Sequence, residues 1–278
     1  MFTSRVLWIP ACGTLAGVLL LSAEAPPGEV WRFDRIDQIG GYPTKVLGHP
    51  RVVETPLGKA VEFNGVDDAL YVDVHPLAGA ETFTWEVIFR PGLGGQTEQR
   101  FFHLSERDPK TGEDTQTRLL FEIRVTSENW FLDSFALSGN DSKTLVNRQK
   151  LHPLGAWYHA ALVYDGHELR NYVNGVLQRS AELHLAPQGA GHSSIGTRIE
   201  GRYYFKGAIL LARMTRRALE PAEFLQVAPE AANRRQSNRL RIHTSRPKRR
   251  REVLRKTTPT RRAEASTNGH AKQWRERN

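Results

Sequence analysis

Two adjacent carboxylates in a turn are the residues of this chain whose types and spacing most readily suggest chemistry. Asp67 and Asp68 follow Asn64-Gly65, between two short apolar runs. Calcium takes about six to eight hard oxygen ligands, and neighbouring carboxylates in a loop could supply two of them. Asp and Asn also build turns by bonding to their own backbone. Two interpretations therefore stay open, a calcium site at Asp67 and Asp68 or a turn without a metal.

Three aromatic residues are candidates for ligand binding. Trp130, Tyr203 and Tyr204 could stack on sugar rings, because an amphipathic aromatic ring offers an apolar face and a polar edge. Packing in the core of a β-sandwich is the alternative for each of them. We predict that these three residues contribute to a ligand site.

The sequence shows no arrangement typical of catalysis. Trp157 and His159 fall on one face of a predicted strand, but nothing nearby supplies a nucleophile with a base of the right type. A histidine in that position is typical of a structural residue with a hydrogen-bonding partner. We therefore predict no catalytic residues and a protein that is not an enzyme.

The elements that must position these residues are strands. In residues 82–90, Phe83, Trp85, Val87 and Phe89 alternate with more polar residues, which is the pattern of a strand with one face in the core. Further strands and one short helix are predicted, the strands over residues 30–33, 60–63, 69–72, 99–104, 118–125, 130–137, 193–197 and 203–213, and the helix over residues 219–224.

Residues 157–180 predict a three-stranded antiparallel meander. Asp165-Gly166 and Asn174-Gly175 lie between its strands, and both pairs suit type I′ turns because their residues tolerate positive φ. The first strand, residues 157–164, is apolar on both faces, so it should be covered on both sides. The whole pattern predicts an all-β, two-sheet antiparallel jelly-roll sandwich.

The first 25 residues have the layout of a secretory signal peptide, with a basic start, an apolar run and Ala23-Glu24-Ala25 as the cleavage site. A membrane anchor and a lipoprotein signal at Cys12 are the alternatives. Cys12 is the only cysteine of the 278 residues, so the mature chain would have neither disulfides nor cysteine-bound zinc. We expect export to a bacterial cell envelope or the medium, with no transmembrane span in the mature chain.

The charge is concentrated at the C-terminal end. Residues 229–278 contain 16 Lys and Arg against 4 Asp and Glu, whereas residues 1–228 contain 23 against 26. The low apolar content of this end predicts a disordered basic tail. An anionic partner is the alternative, but export and the single aromatic residue, Trp274, argue against nucleic acid.

Five motifs occur in an order that resembles the laminin G-like, concanavalin A-type jelly-roll domain of bacterial exported proteins. They are GKAVEFNGVDDALYVDV at 58–74, TFTWEVIFRP at 82–91, WYHAALVYDGHELRNYVNGV at 157–176, SSIGTR at 193–198 and FKGAILLARMTRRALEPAEF at 205–224. The resemblance covers about residues 30–228, and we assign the domain to residues 26–228. It implies two curved sheets with a concave face, rim loops, and often a calcium ion at the rim.

The resemblance also implies a function, which is binding of a glycan or another cell-envelope component through the concave face or the rim loops. Family members often carry an Asp-Glu pair near the end, and Gly207–Arg213 lacks both acids. Tyr204–Ala208 faintly resembles a strand motif of alginate lyases, but the other lyase motifs and a Glu-x-Asp-x-Glu arrangement are missing from the sequence. A polysaccharide lyase or glycoside hydrolase, and a protein-interaction domain of the envelope, remain the alternatives.

Overall fold

Seventeen strands and one three-residue 3₁₀ turn form the regular structure of residues 28–227, which are the residues that the computed structural model describes. The predicted signal peptide and basic tail lie outside them. In chain order the strands are β1 (Glu29–Arg32), β2 (Gln38–Ile39), β3 (Tyr42–Leu47), β4 (Arg51–Thr55), β5 (Gly58–Asn64), β6 (Ala69–Val72), β7 (Phe83–Pro91), β8 (Glu98–Arg107), β9 (Asp114–Thr126), β10 (Asn129–Ser138), β11 (Asp141–Val146), β12 (His152–Pro153), β13 (Tyr158–Tyr164), β14 (Glu168–Val173), β15 (Val176–Glu182), β16 (Gly191–Ile195) and β17 (Lys206–Thr215).

These strands form two antiparallel sheets. The first sheet has the order β15-β14-β13-β7-β17-β5-β4, and β1 also pairs with β17. The second has the order β11-β10-β9-β8-β16-β6-β3-β2, with β12 beside β10. Neighbours such as β7 and β17, or β8 and β16, are far apart in sequence, as in a jelly roll. The predicted all-β, two-sheet jelly-roll sandwich is confirmed.

The core lies between the inner faces of the two sheets. Phe83, Trp85, Val87 and Phe89 of β7 all point into it, as their alternation predicts. The Trp85 ring centroid lies 5.1 Å from that of Phe102 and 4.4 Å from that of Phe121, both in the second sheet. Aromatic contacts of this kind join the sheets without a disulfide, because burial of large apolar side chains dominates the stability of such a core.

The segment after β17 covers the outer face of the first sheet. Its Phe224 ring packs against His159 and Tyr172, with centroids 5.4 and 5.2 Å apart. The backbone N–H of Leu225 donates to a carboxylate oxygen of Glu86 at 2.7 Å. Strand β13 is therefore buried on both faces, as its two apolar faces predict.

The two turns of the meander differ from each other. Asn174 and Gly175 both have positive φ, at 49° and 76°, which agrees with the predicted type I′ turn. At the first turn only Gly166 has positive φ, so the type I′ prediction for Asp165-Gly166 is wrong. The Asp165 carboxylate instead accepts from the backbone N–H groups of His167 and Glu168, at 2.9 and 2.7 Å. Hydrogen bonds to the Asp165 side chain therefore stabilise this turn, which is not of type I′.

Three further differences separate the structure from the prediction, and they concern missing strands, the C-terminal helix and the start of β17. The sequence pattern does not predict β2, β3, β4, β11 and β12, which are two-residue strands or lie at or near sheet edges with half or more of their residues exposed. The predicted C-terminal helix is only a 3₁₀ turn, Pro221–Glu223. Strand β17 begins at Lys206, so Tyr203 and Tyr204 lie in the loop before it and not in a strand. Within residues 28–227 the structure contains no helix with the length and apolar character needed to cross a membrane.

Candidate functional site

The turn that contains Asp67 and Asp68 is held together by its own carboxylates. Asp68 is 3% exposed, and its two oxygens accept from the backbone N–H groups of His49 and Asn64, at 2.7 and 2.8 Å. One oxygen of Asp67 accepts from the side-chain amide of Asn64 at 2.7 Å. Asp68 thus ties the loop before β4 to the end of β5.

These contacts bear on the predicted calcium site. Both oxygens of Asp68 and one of Asp67 are already engaged by protein donors, and no group of three or more His, Cys, Asp or Glu side chains in residues 28–227 is placed to hold a metal. In this arrangement protein donors engage three of the four carboxylate oxygens of Asp67 and Asp68, and the two residues alone do not complete the ligand set that calcium takes. Calcium binding at this turn stays a prediction that a chelator can test.

A cavity of about 630 Å³ borders the same turn. Arg51 and Arg90 line it and both pair with Glu62, with N–O distances of 3.2 and 3.4 Å. Lys206 lines it as well, from the start of β17. Its lining carries charges of both signs, and it lies at the ends of strands, where the resemblance implies a rim site.

The structure corrects the prediction for Trp130. Its ring is fully buried and packs against Phe89, Tyr158 and His152, with centroids 5.3, 5.1 and 4.9 Å apart. Strand β10 turns this residue toward the core, between the two sheets. Because the whole ring is covered, it has no face on which a sugar could stack.

Tyr203 and Tyr204 lie instead on the outer face of the second sheet. They belong to the loop between β16 and β17, residues 196–205, which we call the tyrosine loop. Both side chains are partly exposed. The guanidinium carbon of Arg100 lies 3.9 Å from the Tyr203 ring centroid, and the Tyr203 carbonyl accepts from the backbone N–H of Arg100 at 2.8 Å. This cation–π contact and hydrogen bond fix Tyr203 to β8.

A third tyrosine joins this surface from β6. Burial, followed by the nearby Tyr204 and Glu200, raises the pKa of Tyr71 to about 12. A side chain at Gly201 would meet the hydroxyl groups of both Tyr204 and Tyr71, at 3.3 and 3.8 Å from its Cβ. Gly201 has a φ of +70°, a conformation that glycine adopts without strain. The positive φ is therefore what favours glycine in this turn, while a Cβ there would only crowd the Tyr204 hydroxyl slightly and touch that of Tyr71.

A charged network lies next to Arg100 on the same face, and we call it the arginine–acid network. Arg100 donates to Glu122 at 2.8 Å, and Arg124 donates to Asp133 at 2.7 Å. Glu98 forms ion pairs with both arginines. These residues come from the adjacent strands β8, β9 and β10.

The acids of this network have unusual pKa values. Burial, followed by the charge of Asp133, raises the pKa of Glu122 to about 7, although Arg100 and Arg124 oppose the shift. Burial likewise raises the pKa of Asp133. Glu122 and Asp133 are 4% and 2% exposed, and each accepts a hydrogen bond from an arginine. Their burial and their partners suit a support for Arg100 and the Tyr203 ring better than an acid–base pair open to substrate.

The arginine–acid network was not among the predicted site residues, although the sequence contains a signal for part of it. Glu122 and Arg124 alternate with Phe121, Ile123 and Val125, so the pattern places both charges on the face opposite the core. The sequence does not reveal that Asp133 is the direct cross-strand partner of Glu122. That register depends on the hairpin between β9 and β10.

Comparisons with known proteins agree with the fold. The family model described as the concanavalin A-like lectin/glucanases superfamily, of the laminin G type, matches residues 64–224, which is more than half of the chain. Comparison with curated proteins found no match.

Among solved structures, domain 4 of AbnA, a GH43 extracellular arabinanase from Geobacillus stearothermophilus in complex with arabinotriose, is 18% identical with a TM-score of 0.46, covering 71% of this chain and 95% of that one. The receptor binding domain of the botulinum neurotoxin C/D mosaic serotype is 12% identical with a TM-score of 0.50, covering 71% of this chain and 49% of that one. A SAP-like pentraxin from Limulus polyphemus is 18% identical with a TM-score of 0.44, covering 58% and 77%.

Of these three, only the neurotoxin domain reaches a TM-score of 0.50; at 12% identity it shows a shared fold alone, and the chain spans about half of its length. The family match is stronger, because it includes β6 to β17 and the 3₁₀ turn after them. The chain therefore belongs to the laminin G-like family of the concanavalin A-like lectin/glucanase superfamily.

Proposed function

We propose that this protein is a non-catalytic glycan-binding module, and that it binds sugar on the outer face of the second sheet at the tyrosine loop. The superfamily to which the chain belongs includes lectins, and this gives sugar binding as a general expectation. The choice of site is our own and comes from the side chains on this face.

The position of Tyr203 carries the proposal. Its ring is partly exposed and is held by Arg100, and the next residue of the tyrosine loop, Tyr204, lies near Tyr71. Partly exposed tyrosines offer an apolar surface to a sugar ring and a hydroxyl to its edge. Because the arginine–acid network fixes Arg100, this surface is ordered before ligand arrives, and preorganisation lowers the entropic cost of binding.

Affinity electrophoresis and a glycan array test the proposal. The wild-type protein should be retarded by at least one polysaccharide, and Tyr203→Ala and Tyr204→Ala should each weaken that binding by about tenfold, or about 1.4 kcal/mol. Tyr42→Ala is the matched control, because Tyr42 is a partly exposed tyrosine on β3, outside the tyrosine loop. Its binding should equal that of the wild type.

Two results would contradict this function. Absence of binding to every polysaccharide in a broad panel would favour the alternative of a protein-interaction domain of the cell envelope. Binding that survives both tyrosine substitutions would move the site elsewhere. The cavity beside Asp68 would then be the next candidate, and Arg90→Gln would test it.

Polysaccharide cleavage is a second candidate. Glu122 is the residue with which to test it, because burial raises its pKa to about 7, which suits a general acid, although its 4% exposure and its hydrogen bond from Arg100 keep it from the surface. The superfamily also includes glucanases. Wild-type protein should release no reducing ends or unsaturated products from the polysaccharides that it binds. Release that Glu122→Gln abolishes would establish an enzyme.

The proposed partner implies a compartment. We propose that the chain is exported after cleavage of residues 1–25, because polysaccharides of the envelope lie outside the cytoplasm. Fractionation of cells and N-terminal sequencing of the mature protein test this. A mature chain that begins at Pro26 supports it, and a cytoplasmic chain that retains Met1 contradicts it.

A further inference from the structure

A small cavity of about 140 Å³ lies on the same outer face, between the tyrosine loop and strands β8 and β9. It is smaller than the roughly 300 Å³ at which whole small-molecule sites begin. It therefore fits one substituent of a ligand better than a whole sugar. We call it the donor pocket, and its lining includes His103, Arg118 and Arg198.

His103 contributes a hydrogen-bond donor to this pocket. Its side chain is 1% exposed, and its Nδ1 accepts from the backbone N–H of Ile199 at 2.9 Å. Burial, followed by the charges of Arg198 and Arg118, holds the pKa of His103 well below its usual range, so the ring is neutral. Since Nδ1 accepts, the proton is on Nε2. This buried Nε2–H has no hydrogen-bonding partner among residues 28–227.

Arg118 contributes a second hydrogen-bond donor that lacks an acceptor. One terminal nitrogen donates to the Gln116 carbonyl at 2.7 Å, and the guanidinium carbon lies 4.7 Å from the Phe135 ring centroid. Its Nε–H is buried and also has no hydrogen-bonding partner among the described residues. Burial, followed by the positive charge of Arg198, lowers the pKa of Arg118. Two buried donors that lack acceptors are costly, so a ligand acceptor that reached either of them would be favoured.

The exposed side of the pocket carries carboxylates, which are hydrogen-bond acceptors. Asp114 and Glu200 line it, and their side chains are 37% and 46% exposed. Asp114 accepts from His192, and Glu200 pairs with Arg198 at 2.9 Å. Carboxylates at the mouth can accept from sugar hydroxyl groups, while the buried N–H groups need an acceptor. A sugar that carries an anionic substituent offers both.

We propose that the donor pocket binds the anionic substituent of an acidic sugar, either a uronic acid carboxylate or a sulfate ester, when a glycan lies on the tyrosine loop. This inference rests on the proposed glycan-binding function and adds a preference for acidic over neutral polymers. His103 and Arg118 hold the anion. Arg198 contributes charge, and the tyrosines contact the sugar rings.

Nuclear magnetic resonance of the His103 ring tests the proposal directly on the purified protein. Sodium glucuronate, glucose 6-sulfate and glucose are titrated separately at constant ionic strength, with sodium chloride as the blank. We expect a saturable shift of the His103 Nε2–H resonance with glucuronate or with the sulfate ester, and none with glucose or chloride. The anion that produces the shift identifies the source of the charge.

Substitutions then connect the shift to the pocket. Arg118→Gln and Arg198→Gln should each weaken the binding of that anion by about tenfold, as the loss of one charge-assisted contact does. Arg118→Lys keeps the charge but loses Nε, so it should also weaken binding while it perturbs the fold less. Arg179→Gln is the matched control, because Arg179 is an exposed arginine on β15 of the other sheet, and it should bind as the wild type does.

The outcomes separate this inference from the proposed function. If neither anion produces a saturable shift, or if Arg179→Gln weakens binding as much as Arg118→Gln, the inference is wrong. If an acidic polysaccharide and its carboxyl-reduced form bind equally tightly and Tyr203→Ala weakens both, the inference is wrong and the proposed function stands. If glucuronate shifts His103 but no polymer binds, the pocket takes anions and the proposed function is wrong.

Discussion

Replacing Glu122 by Gln should change how stability depends on pH. Glu122 is buried beside Asp133, and burial, followed by the Asp133 charge, raises its pKa from 4.5 to about 7. Between these two values the folded protein holds a proton that the unfolded chain has released. The contribution of Glu122 to stability therefore falls as the pH rises from 4.5 to 7.

The size of the effect follows from the shift. A change of about 2.5 units at roughly 1.36 kcal/mol per unit gives on the order of 3 kcal/mol. Glutamine does not titrate. The unfolding free energy of Glu122→Gln minus that of the wild type should therefore rise by about this amount as the pH increases from 4.5 to 7. Histidines such as His103 titrate in both proteins, so their contribution cancels in the difference.

Urea denaturation of both proteins at several pH values and constant ionic strength measures this difference. Glu86→Gln is the matched control, because Glu86 is also fully buried but its pKa is shifted the other way. Burial alone would raise that pKa, but the hydrogen bonds from His159, Arg213 and the Leu225 N–H outweigh it. A carboxyl group whose pKa is lower in the folded protein stabilises the fold fully above about pH 4.5, the pKa of the unfolded chain. This stabilisation is lost as the pH falls through the pKa of the folded protein.

The two variants should therefore diverge. Relative to the wild type, Glu86→Gln should be less stable at pH 7, by an amount that stays constant from pH 4.5 to pH 7. A difference for Glu122→Gln that stays flat or falls over the same range would show that Glu122 is ionised beside Arg100. The assigned raised pKa would then be wrong.

The other predictions concern the core, the turn that contains Asp68 and the C-terminal end of the chain. Trp85→Ala should cost about 3–5 kcal/mol in urea unfolding, because the ring is fully buried between Phe102 and Phe121; a loss below about 1 kcal/mol would contradict the placement of β7. Asp68→Ala should cost about 1.5–3 kcal/mol, because it removes the acceptor of two backbone N–H groups. EDTA tests calcium separately, since an unchanged Tm in EDTA rejects calcium at this turn. Deletion of residues 229–278 should leave Tm nearly unchanged, and a fall of many degrees would show that the tail docks on the domain.

The order of the loop surface depends on contacts that join distant parts of the chain. Tyr203 has a φ of 59°, which a tyrosine adopts only where its surroundings hold it. The Arg100 backbone and guanidinium supply that hold, and Arg100 is in turn fixed by Glu122. Glu122 thus acts on the proposed sugar site through Arg100, although it lies beneath the surface.

Local sequence determined much of the fold. The alternation of Phe83, Trp85, Val87 and Phe89 is sufficient to orient β7, because the period of side chains in a strand is two residues. Asn174-Gly175 determined its own hairpin turn, since few other residue pairs accept two positive φ values. Asp165-Gly166 did not, because the Asp165 side chain could bond to the backbone in another way.

The tertiary structure alone decided the candidate site. Trp130 and Tyr203 have similar chemistry in the sequence, yet one packs in the core and the other lies on the outer face, because strand register and a loop boundary place them there. The arginine–acid network needs three strands in register, and the donor pocket needs the tyrosine loop folded back over His103. Local patterns fix which face a residue takes within its own strand. Only long-range pairing fixes which strands and loops meet, because that choice depends on burying the whole core at once.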